Sequence, residues 1–188
     1  GILRQQGIRR PVWAISCGVD LERFRPRPEV NRATVRLRYG LDPRRSLFLY
    51  VGRLDPEKRL DVLLRALHRL GRYDVQLGIV GWGSQTNELQ ALGQELGLDG
   101  RLVFTGYVPD EDLPSLLNSA DVFAMPSEAE LQCLAALEAM ATGRPVLAAD
   151  ARALPELVQN GVNGYLFRAG DVDDAARRMA QLADESER

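Results

Sequence analysis

A chain of 188 residues, 45% hydrophobic and 27% charged with a formal charge of −2, can bury a core and carries neither the basic field of a nucleic-acid-binding domain nor the charge block of a disordered tail. Cys17 and Cys133 lie far apart with no Cys-x-x-Cys or histidine cluster, so neither a disulfide scaffold nor a zinc site is expected, and a reducing cytoplasm fits. No apolar run reaches the roughly 18 residues of a membrane span, and the opening GILRQQGIRR, without a signal-peptide stretch or an initiator Met, reads as the start of an excised piece of a longer chain.

Residues 1–16 read as the end of a preceding domain or a linker, with a turn at CGVD, and residues 17–188 as one domain. RFRPRPEVN, 23–31, is loop-like by its prolines. From there short apolar runs bounded by Gly, Pro or Asp recur: SLFLYVG (46–52), VQLGIVG (75–81), RLVFTG (101–106), DVFAMP (121–126), PVLAAD (145–150) and GYLF (164–167). Such runs suit strands buried on both faces. Helical patterns lie between them: PEKRLDVLLRALHRL, SQTNELQALGQELG, EDLPSLLNSA, LQCLAALEAMATG and LPELVQN, with DVDDAARRMAQLAD after the last strand. With right-handed crossovers, this alternation predicts an α/β fold: a Rossmann-like, doubly wound parallel sheet of about six strands with helices on both faces. In such a sheet ligands bind beyond the carboxyl ends of the strands.

Three loops there carry chemistry. GWGS, at Gly81 to Ser84, sits between a strand and a helix as a dinucleotide fingerprint does. Thr86, however, stands where that motif has its third Gly or Ala, and Arg101, at the head of a strand, stands about 20 residues on, where an acidic strand end belongs. An NAD-binding Rossmann domain is therefore the weaker alternative. In VGRLDPEK, Arg53 follows the first strand and Lys58 is expected in the first turn of the next helix. Of 24 basic residues Lys58 is the only lysine, and a compact ammonium does what a guanidinium fork does not. Cations at a helix N-terminus oppose its dipole, which makes sense with an anion between them. The alternative is a surface pair of Lys58 with Glu57 or Asp61.

The third loop holds Glu130, and Glu138 follows it about two turns later, roughly 12 Å along a helix axis and too far for a tight carboxylate pair. With Leu134 at zero and about 100° per residue, Leu137 falls near 300°, Ala141 near 340° and Glu138 near 40°, so Glu138 borders the expected apolar face. A carboxylate there needs an arginine or a ligand hydroxyl. The helix start between the two glutamates offers backbone N–H groups to a phosphate.

The motifs CGVDLERFRP, VGRLDPEKRLDVLLRAL, FTGYVPDEDLPSLLNSADVFAMPS and ELQCLAALEAMATGRPVLAAD, followed by ELVQNGVNGYLF, resemble in order the C-terminal half of group 1 (family 4) retaining glycosyltransferases of the GT-B fold. The E-x7-E spacing alone is weak and in this company strong. The resemblance implies a bacterial, cytoplasmic enzyme that transfers a hexose from a nucleotide-diphosphate sugar, UDP-, GDP- or ADP-linked, with no further cofactor and no metal. It implies catalytic roles for Arg53 and Lys58 on the diphosphate and for Glu130 on the transferred sugar. Glu138 would take the ribose hydroxyls, and Leu131, Gln132, Cys133 and Leu134 would line the phosphate and sugar. The backbone at Tyr107 and Val108 would read the base edge, and Gly52 would let the chain pass close to the donor.

It further implies an acceptor held by an N-terminal domain outside this sequence, an isolated fragment with little or no transfer activity, no nucleic-acid partner, and a full-length enzyme compatible with peripheral membrane association. A catalytically inactive nucleotide- or sugar-binding module of the same fold is the alternative. Two departures from the family pattern stand out: Cys133 replaces a common Gly or small residue and Gln132 a frequent aromatic, which bears on donor choice. A lowered Cys133 thiol pKa at a helix start is weighed against plain packing, and packing is preferred. Cys17, in the usual Asn position of the CGVD turn, reads as a packing variation, and His68 as a surface residue.

Overall fold

The computed structural model describes residues 17–186 together with residues 5 and 7; the expected linker over 1–16 otherwise lies outside the described residues. In chain order the elements are α1 (Arg32–Arg38), β1 (Ser46–Val51), a 3-10 turn (Pro56–Lys58), α2 (Leu60–Leu70), β2 (Val75–Val80), α3 (Thr86–Glu95), β3 (Leu102–Gly106), α4 (Leu113–Ser119), β4 (Val122–Met125), α5 (Leu134–Ala141), β5 (Val146–Ala149), α6 (Leu154–Leu157), β6 (Gly164–Phe167) and α7 (Val172–Ser186). All six strands run parallel in the order β3-β2-β1-β4-β5-β6. Both β2 and β4 leave β1, on opposite sides, so the crevice beyond β1 and β4 is the topological switch point where such sheets bind ligands.

The strands are apolar because the sheet has no wet face at its centre. Leu47, Phe48, Leu49 and Tyr50 of β1 and all six residues of β2 are buried, and each buried Leu or Phe contributes roughly 1.5–3 kcal/mol. α2 buries Leu60, Val62, Leu63, Leu64, Ala66 and Leu67 against β2 and α7, and ends on Gly71 in the left-handed conformation. His68 is exposed, as expected, and its Nδ1 lies 2.8 Å from the Leu96 carbonyl oxygen at the end of α3.

α1 was not among the expected elements, although Asn31 caps it by accepting a hydrogen bond from the Thr34 N–H. Its RATVRLR sequence lacks an apolar stripe because its tie to the sheet is polar. The buried Arg36 donates through Nε to the Ser119 carbonyl (2.8 Å), through one Nη to the Arg45 carbonyl (2.8 Å) and through the other to Asp121 (2.7 Å). Asp121 also accepts the Leu47 N–H at 2.7 Å, so one carboxylate fastens α1 to the amino ends of β1 and β4. This tie lies at the end of the sheet away from the switch crevice.

Two expected helix starts are displaced. The segment after β1 begins as a 3-10 turn, and the α-helix starts only after Arg59, whose φ of 49° is left-handed. Lys58 is therefore in the turn before α2, not in its first turn. The segment expected as a helix from 131 starts at Leu134, behind Cys133 with φ 50°. Its buried positions are Ala136 and Ala139, while Leu134 is exposed, so the face centred on Leu134 is not the one that packs. A helix docked closely on β4 and β5 turns its small residues inward and leaves its leucines at the rim.

Candidate functional site

Four loops meet beyond the carboxyl ends of β1, β2, β3 and β4. After β1, Gly52 has φ 156°, and a Cβ there would sit 2.8 Å from the Tyr50 hydroxyl. That hydroxyl donates to the Arg53 carbonyl at 2.6 Å, fixing how the chain leaves the strand, and burial pushes the phenol pKa up so that it stays a donor. The Arg53 guanidinium is 71% exposed and held by Asp55 (2.6 Å) and Glu57 (3.1 Å).

Lys58 reaches across the switch point. Its Nζ lies 2.5 Å from Oε1 of Glu130, in the loop after β4, and both side chains are largely shielded, at 18% and 13% exposure. Neither Glu57 nor Asp61 is its partner, so the surface-pair alternative is overturned. The next residue repeats the tie, with Arg59 2.6 Å from Glu128, and Ser127 Oγ donates to the Glu57 carbonyl at 3.2 Å. Three consecutive residues of the turn after β1 are thus fastened to the loop after β4. Two elements distant in sequence present one cation and one carboxylate side by side at the crevice.

Glu138 is half-buried in α5, and its carboxylate makes no hydrogen bond or ion pair among the described residues. Burial pushes its carboxyl above the usual range; the Arg23 guanidinium pulls the other way, and Asp110, itself bridged to Arg23 at 2.9 Å, adds to the rise. Of the two partners weighed for Glu138, an arginine or a ligand hydroxyl, the arginine ion pair is not formed among the described residues.

Between the two glutamates, Leu131 is fully at the surface, Gln132 is half-buried and Cys133 is buried. Cys133 is buried, and burial pushes its thiol up to about 12, opposite to an activated thiol, which supports packing. The left-handed φ of Cys133 also explains why glycine is common there: a non-glycine residue in this region costs about 1 kcal/mol or more. Among the described residues no side chain caps α5, so its first N–H groups are left for another acceptor, four residues after Glu130.

A cleft of about 730 Å³ adjoins this crevice, lined by Gly52, Arg53, Asp55, Trp82, Tyr107 and Val108 among others. The structure thus joins Gly52, Arg53, Tyr107 and Val108 in one cavity. Lys58, Glu130, Glu138 and the start of α5 lie outside that cavity's lining, on its β4 side, so the expected site is two adjoining parts. Sequence reasoning missed Asp55 and Trp82. Asp55 accepts from both the N–H and the hydroxyl of Ser84 (3.1 and 2.9 Å), tying the loops after β1 and β2.

The glycines of GWGS serve packing: a Cβ at Gly81 would lie 2.0 Å from the Gly52 carbonyl oxygen, and one at Gly83 would lie 2.5 Å from backbone atoms of Leu54. Thr86 closes that turn by donating to the Gly83 carbonyl at 2.8 Å. Arg101 is a buried staple at the amino end of β3, donating to the Arg72 carbonyl at 3.0 Å, on the wrong end of the sheet to hold a ribose. The dinucleotide reading therefore lacks both its third glycine and its acid. Among the described residues no His, Cys, Asp and Glu cluster is arranged to hold a metal, and no helix is long and apolar enough to cross a membrane.

A cleft beside a shielded Lys–Glu pair at the switch point of a parallel six-stranded sheet marks a Rossmann-like α/β domain with its ligand site at the carboxyl ends of the strands. The profile of the family "Glycosyl transferases group 1" matches residues 31–188, and the chain belongs to that family. It is 40% identical over 170 residues to a D-inositol 3-phosphate glycosyltransferase of Mycobacterium sp. (strain KMS), covering 88% of this chain and 38% of that protein, so it spans well under half the length of this relative. Anabaena Alr3699/HepE in complex with UDP-glucose superimposes with a TM-score of 0.81 at 30% identity, over 90% of this chain and 47% of that one. The C-terminal domain of a group 1 glycosyl transferase (LpcC) of Francisella tularensis, crystallised by itself, matches at a TM-score of 0.78 and 27% identity over 90% of both chains.

Proposed function

We propose that this chain is the donor-binding half of a retaining hexosyltransferase that uses a nucleotide-diphosphate sugar. The observation that carries the reading is the shielded pair of Lys58, the only lysine, with Glu130, set where an uncapped helix start opens on the switch crevice. A diphosphate at the start of α5 meets backbone N–H groups, the Lys58 ammonium and the Arg53 guanidinium. As the bond from the sugar anomeric carbon to the diphosphate breaks, its electrons go to the phosphate oxygen, and these donors stabilise the growing charge. They do the electrostatic work that a metal does elsewhere, so none is required.

Glu130 accepts hydrogen bonds from the sugar hydroxyls while its other oxygen keeps Lys58 in place. Glu138, whose carboxylate has no hydrogen-bond partner among the described residues, accepts from the ribose hydroxyls, and the backbone at Tyr107 and Val108 reads the base edge. UDP-glucose bound to the Anabaena neighbour supports a nucleotide sugar as the ligand. The acceptor hydroxyl, held by an N-terminal domain that closes on this one, attacks the anomeric carbon on the face the diphosphate leaves and passes its proton to the departing diphosphate oxygen. The isolated chain accordingly binds donor and transfers little, and the full-length enzyme works in the cytoplasm or at the inner face of the membrane.

Calorimetric titration of the chain with UDP, GDP, ADP and their glucose and mannose conjugates tests the reading. One nucleotide is expected to bind at micromolar to millimolar strength, and Glu138→Ala to weaken it by about 10-fold or more, the worth of hydrogen bonds to a carboxylate. Unchanged affinity in Glu138→Ala would remove the ribose role, and no binding by any nucleotide would overturn the donor site.

A further inference from the structure

We infer that the Trp82 indole is the stacking platform for the donor's nucleobase, a role that rests on the nucleotide-sugar reading above. The Gly81 N–H donates to the Gly106 carbonyl at 2.9 Å, so the residues that follow, Trp82 and Tyr107, leave the neighbouring strands β2 and β3 side by side. Both rings are exposed, at 71% and 72%, and both line the 730 Å³ cleft.

The loop that carries Trp82 cannot swing away. The Leu54 N–H donates to the Trp82 carbonyl at 3.2 Å, the Gln85 N–H donates to the Leu54 carbonyl at 2.8 Å, and the two flanking glycines pack directly on backbone. A large aromatic side chain on a backbone held in this way and left in water does no packing work for the chain, and two such aromatics exposed side by side at one cleft mark a binding surface. The cleft behind it is walled by Val51, Val80, Val108 and Leu113. An apolar slot with an aromatic rim, beside the Lys58 and Arg53 cations, takes a flat ring joined to a diphosphate. Stacking is indifferent to base identity, so Trp82 supplies affinity while the backbone at Tyr107 and Val108 supplies choice.

The test uses Trp82→Ala and Trp82→Phe in calorimetric titrations with UDP, GDP and ADP, each variant's thermal midpoint, and Trp13→Phe, which leaves Trp82 as the sole indole. Stacking by one base is worth about 5-fold or more in affinity on truncation to alanine. The expected result is that loss in Trp82→Ala, most of it recovered in Trp82→Phe, thermal midpoints unchanged, and quenching of the single-indole protein by the nucleotide that binds. Wild-type affinity in Trp82→Ala, or a loss matched by a lowered midpoint, would overturn the stacking role and leave the nucleotide site standing. If the unaltered protein binds none of the three nucleotides, the donor-site reading fails and this inference fails with it.

Discussion

Replacing the two ends of the Lys58–Glu130 pair separately and together tests both its energetics and its division of labour. At 2.5 Å and about 15% exposure, the gross attraction at an effective dielectric near 20 is about 7 kcal/mol. Desolvation and side-chain ordering remove most of it, and charge-assisted hydrogen bonds of this kind contribute about 1.5–3 kcal/mol net. Lys58→Met and Glu130→Gln are each expected to destabilise the chain by roughly that amount in urea unfolding. The double variant should lose less than the sum, giving a coupling of about 2 kcal/mol.

Binding separates the two roles. Glu130→Gln frees Lys58 for phosphate, so affinity for the free nucleoside diphosphate should hold within about 3-fold while the extra affinity of the sugar conjugate disappears. Lys58→Met should weaken both ligands by about 10-fold or more. A coupling below about 0.5 kcal/mol would show that the pair is not formed in solution. Equal loss of nucleotide and nucleotide sugar in Glu130→Gln would refute the assignment of Glu130 to the sugar.

Because the folded-state pKa of Glu138 is raised, the native state holds its proton above the pH at which the unfolded chain releases it. Its contribution to stability is therefore full below the ordinary Glu pKa and is lost as pH rises through the raised folded value. Glu138→Gln, measured by urea unfolding from pH 4 to 8, should be more stable than the parent at neutral pH and show no such advantage at the acid end, while losing nucleotide affinity; a variant less stable at pH 7 would refute this. Exposed Cys17 should react with an aromatic disulfide reagent at pH 8, whereas Cys133, buried and with its thiol pushed up to about 12, should react only on unfolding. Rapid labelling of both in the folded protein would show that Cys133 is not packed as described.

The fold was legible because a parallel sheet buried on both faces writes its strands as continuous apolar runs. Each of the six stretches from SLFLYVG to GYLF contains an observed strand. Helix boundaries were less legible. PEKRLDVLLRALHRL and LQCLAALEAMATG read as unbroken helical patterns, yet Arg59 and Cys133 stand in left-handed conformations that no residue type there announces. α1 escaped because its attachment runs through Arg36 and Asp121, and polar anchors leave no periodicity.

The sequence by itself determined that Lys58 and Glu138 needed partners, since a lone lysine and a carboxylate bordering an apolar face are chemical questions before any folding. That Lys58 takes Glu130 while the Glu138 carboxylate keeps no partner among the described residues was decided only by the tertiary structure. The pairing of Lys58 with Glu130 spans 72 residues and exists because β1 and β4 are neighbours in the sheet. The juxtaposition of Trp82 with Tyr107 likewise follows from the pairing of β2 with β3. Strand order is set by the burial of the whole sheet, so no local stretch of sequence encodes which loops meet at its end.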